Sequence, residues 1–308
     1  MITRRYVFAP LFLMAVTACT ATAPTDSPQQ ATPSVPPPSQ AVRSLTFPFD
    51  SYELSGADTA TVEAAEDILV QRCMRRLGMG WKVIPRIAGD DAPNRRRYGI
   101  IELAIAERFG YHVPPDTSGA AQRQELDNTR EKTLAPREHQ AAYGSDGLSG
   151  CWGQAHSRLL QRAPQADEVL LRRLVTEAYE NSRRDDKVDQ VVRSWRACMQ
   201  SKGLHYKDPI SAAGDKRWAK SPRPSRAELE TAIADVRCKT ETGLVAAWHK
   251  TETRIQWDAI RTHPQLFHHL KEAKTGQLTA ARQALAALAQ GDNSGSPRPT
   301  QNWAQNLR

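Results

Sequence analysis

Cys73-Met74-Arg75-Arg76-Leu77-Gly78-Met79-Gly80-Trp81-Lys82 and Cys198-Met199-Gln200-Ser201-Lys202-Gly203-Leu204-His205-Tyr206-Lys207 decide how this sequence reads. Cys, Met, Gly and Lys coincide, and an aromatic follows the shared Gly at the same distance in both. Each stretch reads as the last turn of a helix, with its Cys toward the core and its Gly as the cap. An apolar and aromatic re-entry follows. Gly caps are common, so two helix ends can match by chance. Cys-Met at both, with matched aromatics, favours an internal duplication. One further Cys follows each copy on a predicted helix, Cys151 and then Cys238. Cys-x-x-Cys and zinc-type ligand spacing are both missing. Four cysteines allow three pairings, and their order along the two copies points to Cys73–Cys151 and Cys198–Cys238. The expected fold is mainly α: a disulfide-stapled helical domain, built as two degenerate helical repeats with few or no strands.

Outward from these motifs the apolar residues keep helical spacing. Ser55 with Asp58 predicts an N-terminal cap, followed by Val62, Ala65, Leu69 and Cys73 on one face. Trp81-Lys82-Val83-Ile84 suggests a short strand, Ile100 to Phe109 a helix, and 116–132 a loop or weak helix. Pro164 opens a segment with Val169, Leu170, Leu174 and Ala178 in phase, and Val188, Val191, Trp195 and Cys198 mark the next. Ser225 and Glu228 predict a capping box. A long helix follows through Leu229, Ile233, Val236, Leu244 and Trp248, with Gly243 as its weak point. Pro264 interrupts, and a last helix runs to about Gln290. This reading gives helical subdomains over 45–163 and 164–290 and a disordered tail over 291–308.

The chain has 308 residues, with 42 Lys and Arg against 34 Asp and Glu, and a mean hydropathy of −0.59. Its one long apolar run is N-terminal, which excludes a polytopic membrane protein. Arg4 and Arg5 precede Tyr6 to Ala18, a run too short to span a bilayer core of about 30 Å. Val16-Thr17-Ala18-Cys19 then has the pattern of a bacterial lipobox. Residues 1–18 read as a lipoprotein signal peptide and Cys19 as the lipidated residue. Residues 19–44, with Pro24, Pro28, Pro33 and Pro36-Pro37-Pro38, read as a Pro-rich stalk. The expected location is the extracytoplasmic face of the cell membrane. There the pI near 9.4 finds anionic lipids or acidic wall polymers as partners rather than nucleic acid.

The lipobox, the stalk, the doubled Cys-Met-x-x-x-Gly-aromatic motif and Ala234-Asp235-Val236-Arg237-Cys238-Lys239 behind its capping box resemble a group of uncharacterised actinobacterial lipoproteins. The resemblance spans most of the chain. It implies an anchored, disulfide-stapled protein of the envelope and implies no activity.

No nucleophile elbow, zincin helix, phosphate loop or calcium loop occurs in the sequence, so no catalytic residue, metal ligand or cofactor is assigned. His263, His268 and His269, and His249 with Glu252, read as exposed helix residues rather than ligands. Trp152, Trp195, Trp248 and Trp257 fall at expected core positions. Arg95-Arg96-Arg97, followed by Tyr98, is the densest basic run and the candidate anion-binding patch, since guanidinium groups take phosphates bidentately. The expected function is a non-enzymatic binding or accessory module of the envelope, with an envelope protein or anionic wall polymer as partner. A wall-modifying hydrolase or transferase is the alternative.

Overall fold

The computed structural model describes residues 34–86, 92–117, 119–161 and 163–291. The signal segment, Cys19, most of the stalk and the tail from Asp292 lie outside the described residues. Helix is the only extended regular structure among those described: 68% helical, in twelve α-helices with no strand. In chain order they are α1 Gln40–Arg43, α2 Gly56–Arg76, α3 Leu103–Phe109, α4 Ala120–Thr133, α5 Pro136–Tyr143 and α6 Cys151–Leu160. They continue as α7 Glu168–Arg183, α8 Asp186–Ser201, α9 Pro209–Ala213, α10 Arg226–Glu241, α11 Leu244–Thr262 and α12 Pro264–Gly291. No helix among the described residues is long and apolar enough to cross a membrane.

The two motifs of the sequence are two helix ends of one design. Gly78 at φ 72° and Gly203 at φ 75° take the left-handed conformation that only Gly adopts without strain. Met79 N–H returns to Met74 O at 3.0 Å, and Leu204 N–H to Met199 O at 3.0 Å, closing the same C-terminal cap. Met74 and Met199 are fully buried. Cys73 on α2 joins Cys151 at the start of α6, and Cys198 on α8 joins Cys238 on α10, with Cα separations of 5.6 and 5.7 Å. These are the expected pairs. They close loops of 78 and 40 residues, worth about 4.5 and 4 kcal/mol in the loop-entropy account.

The interior does not divide at 163/164. The described residues from Val35 onward belong to one compact unit. Its largest apolar cluster joins Phe47, Tyr98, Ile105 and Tyr111 to Trp195, Ala232 and Trp248. A second sets Leu69, Met74 and Leu159 against Ala281 of α12. A third joins Phe49 to Leu171, Leu174, Phe267 and Leu270. α12, late in the sequence, packs along α2 and α6. The expected subdomains at 45–163 and 164–290 give way because each half supplies apolar faces that the other covers.

Other expectations need correction. The stretch expected as stalk to residue 44 belongs to the fold from Val35 onward: Pro38 and Val42 are buried, and Ser39 N–H donates to Glu102 Oε1 at 2.7 Å. Those partners tie down a segment whose composition alone favours an extended chain. Trp81 to Ile84 is not a strand, and no strand among the described residues could pair with it; the Trp81 indole and the Ile84 amide bond Asp67 instead. The stretch read as a loop or weak helix contains α4, which Arg130 anchors inward. The single long helix is two, broken at Gly243 (φ 64°). Ser225 caps α10 as expected, but Glu228 leaves the cap and turns inward, accepting Tyr111 N–H at 2.8 Å.

Candidate functional site

The arginine run is not a solvated patch. Arg95 pairs with Glu102 and donates to Pro36 O at 2.9 Å, while Arg96 donates to the carbonyls of Tyr111 and His112 at 2.9 and 3.1 Å. Arg97 pairs with Glu252, which is wholly buried and also accepts the Tyr98 hydroxyl at 2.8 Å. The Arg97 guanidinium also lies over the rings of Phe47 and Tyr179. Arg95, Arg96 and Arg97 are therefore internal partners: Arg95 and Arg96 tie residues 92–112 together and to Pro36, and Arg97 ties them to α11. Their acceptors lie up to 155 residues away in sequence, so a charge run read locally shows only donors.

Glu252 is taken, and His249 Nε2 bonds Thr46 O at 2.8 Å, so those two form no ligand pair. His268 contacts Glu272 at 3.3 Å on the exposed face of α12. Trp195 and Trp248 are core residues and Trp152 is half-buried, but Trp257 is 50% exposed. At 3.6 residues per turn Trp257 falls half a turn out of phase with Trp248 on α11.

Each disulfide-linked helix pair carries a buried aspartate bonded to an indole N–H and a cation. Asp67 on α2 accepts the Trp81 indole N–H at 2.7 Å, the Ile84 amide at 2.7 Å and Arg130 Nη1 at 2.6 Å. Asp235 on α10 accepts the Trp195 indole N–H at 2.9 Å, the Tyr111 hydroxyl at 3.2 Å and Lys239 Nζ at 2.9 Å. A buried carboxylate, an indole donor and a cation recur in both. Burial pushes the Asp235 carboxyl up and the Lys239 ammonium down, each opposed by the other's charge. Such a pair holds only because its hydrogen bonds are complete.

The second network is buried, with Lys239 at the wall of a cavity of about 360 Å³ beside Leu45, Ile101 and Gly243, and the first floors a cleft of about 210 Å³ between α2, α4 and α6. Arg86 grips Asp127 with two bonds of 2.8 Å, and Arg130 adds a third to the same carboxylate at 2.6 Å. Arg130 also lies over the Trp81 ring, 4.1 Å from its centroid. Across the cleft, His156 bonds Glu66 at 2.8 Å and stacks on Trp152 at 5.1 Å with 13° between the planes. Burial raises the Glu66 carboxyl; the His156 hydrogen bond opposes this, while Glu63 and Asp67 add to it. Glu63 Oε2 is buried and accepts no hydrogen bond, with Arg86 and Arg123 nitrogens 3.6 and 3.9 Å away.

A larger cavity of about 690 Å³ opens beside Tyr52, Leu160 and Leu270. Its acids, Glu53 and Glu168, share the lining with Arg172 and Lys274, which leaves no charge unbalanced. The smaller cleft has the distinctive chemistry. It went unread in the sequence because Asp67, Arg86, Asp127 and Arg130 belong to no contiguous motif. One signal was present: Asp67 keeps helical phase with the fully buried Val70 and Met74, an acid on an apolar stripe. Comparisons of the chain with family models, with curated proteins and with solved structures found no match.

Proposed function

We propose that the chain is an exported, lipid-anchored binding module of the cell envelope, with the cleft between α2, α4 and α6 as its binding surface. The observation that carries the binding surface is the contrast between the two aspartate networks. Lys239 of the Asp235 network lines a mostly apolar cavity, whereas the Asp67 network borders a cleft lined by Glu63, Glu66, Asp127, Arg86 and Arg130, where one Glu63 oxygen accepts no hydrogen bond. Val16-Thr17-Ala18-Cys19 supports the anchor, and two disulfides suit an oxidising compartment. Acyl chains on Cys19 would hold the folded unit at the membrane, since each buried methylene adds about 0.8 kcal/mol.

Fractionation tests the anchor. The wild-type chain should label with a fatty-acid analogue and sediment with membranes, and Cys19→Ala should do neither. Labelling that survives Cys19→Ala overturns the anchor and leaves the cleft to be judged by ligand binding.

A further inference from the structure

We propose that His112 is a proton-operated latch: protonated, it holds residues 214–224 against α10, and on losing its proton it lets them go. The latch stands apart from the cleft and does not depend on it. His112 Nδ1 lies 2.8 Å from Glu228 Oε1, and its Nε2 lies 2.9 Å from the Ser221 carbonyl oxygen. Both partners are acceptors, so the ring serves them together only when each nitrogen carries a hydrogen. A neutral imidazole has one N–H and turns a lone pair toward the second oxygen. The carboxylate is the stronger acceptor and keeps the N–H, so the contact that breaks is the one to Ser221. Glu228 is 1% exposed and already accepts the Tyr111 N–H at 2.8 Å. A charged ring suits a carboxylate so withdrawn from water.

The segment so held is built to move. Residues 219–223 are exposed, and their backbone is tied by short turns: Ala219 N–H to Lys216 O at 3.3 Å, Lys220 N–H to Arg217 O at 3.4 Å, and Arg223 N–H to Ser221 Oγ at 3.1 Å. Few buried contacts and exposed backbone bonds mark a stretch of low local stability. Its buried anchor is Trp218, which donates to Ala212 O at 2.8 Å and stacks on the Tyr111 ring at 5.9 Å. The Tyr111 hydroxyl bonds Asp235, so the segment covers one flank of the second aspartate network. The charged groups about His112 are Glu228 on α10, Arg96, which donates to the His112 carbonyl, and Lys220 and Arg223 within the segment itself. The bond to Glu228, then that to the Ser221 carbonyl, raises the imidazole above its ordinary 6.5. The latch is therefore closed at about pH 6 and opens as pH climbs through the raised value.

Amide hydrogen exchange of the full chain in detergent, followed by mass spectrometry from about pH 6 to pH 9 and corrected for its intrinsic pH dependence, reads the latch. Protection of the Trp218, Ala219, Lys220 and Arg223 amides should fall by about tenfold or more in one step, while α7 keeps its protection throughout. The midpoint should coincide with the His112 titration followed by NMR. Glu228→Gln should move that midpoint to lower pH, because the imidazolium loses its counter-charge. His112→Gln should abolish the step and leave one level of protection at every pH. A step that survives in His112→Gln, or a midpoint unmoved in Glu228→Gln, overturns the latch. So does a wild-type profile with no step, or a loss of protection shared equally by α7, which would report unfolding of the whole chain.

Discussion

The two disulfide-linked helix pairs share one construction and differ in what covers it. In both, a helix ends on a buried Met and a left-handed Gly, a Cys one residue before that Met reaches a second helix, and a buried Asp takes an indole N–H and a cation. Around Asp235 the cover is closer: α3, α8 and α11 pack on α10, Tyr111 and the Ile100 carbonyl fill the remaining polar positions, and Lys239 lies at the wall of a mostly apolar cavity. Around Asp67 the cover is one-sided. α12 seals the apolar face of α2 and α6, while α4 brings arginines and acids to the other side and leaves a gap. A shared polar core thus fixes both helix pairs, and the Asp67 pair carries it beside a cleft crowded with charged side chains.

The comparison predicts unequal responses to loss of the cation. Lys239→Met leaves the Asp235 carboxylate buried and without its counter-charge, which should destabilise the fold by about 3–5 kcal/mol. Arg130→Met leaves Asp67 with two N–H donors beside a cleft that water enters, and should remove about 1–3 kcal/mol. Urea unfolding of the two variants measures the difference. Equal losses would show that the cleft gives Asp67 no relief.

Removing one disulfide at a time sharpens the contrast further. Cys73→Ala/Cys151→Ala and Cys198→Ala/Cys238→Ala should each lower stability by about 2–4 kcal/mol, the first by slightly more because its loop is longer. Denaturant midpoints of the two double variants decide the order. A loss confined to one pair would mean that the other helix pair is held by its packing alone.

The smallest effect is a pH dependence carried by the second region. The hydrogen bond to Glu228 raises the His112 imidazole above its ordinary value of 6.5, with a second bond to the Ser221 carbonyl adding to it. This stabilisation is complete below about pH 6.5 and is lost as pH climbs through the raised value. Unfolding midpoints should therefore fall between about pH 6 and pH 8 in the wild type, and fall less in His112→Gln. An identical pH profile in the variant would remove His112 from the account.

Much of the architecture was legible before any coordinates. Ser55, Gly78, Gly203 and Ser225 mark helix ends because backbone amides and carbonyls at a terminus must find partners within a few residues. The cysteine pairing followed from the doubled motif. What failed had its cause beyond the local window. Trp81 to Ile84 has strand composition but no strand among the described residues to pair with, and Gly243 ended a helix that periodicity alone would continue. The arginine run reads as surface only while Glu102 and Glu252 are unplaced, and Trp257 reads as core only while the phase of α11 is unplaced.

The sequence by itself determined the helical class, the capped helix ends and the disulfide pairs, since each rests on short-range backbone chemistry or on cysteine order. Tertiary structure alone decided that Val35 to Ser44 joins the fold, that both halves of the chain share one interior, and that Arg95, Arg96 and Arg97 are internal. It also decided that one aspartate network lies beneath a charged cleft while its counterpart is buried among aromatic side chains. The reason is physical: burial and ion pairing depend on which distant surfaces meet, and a charge shows its role only when the group opposite it is in place.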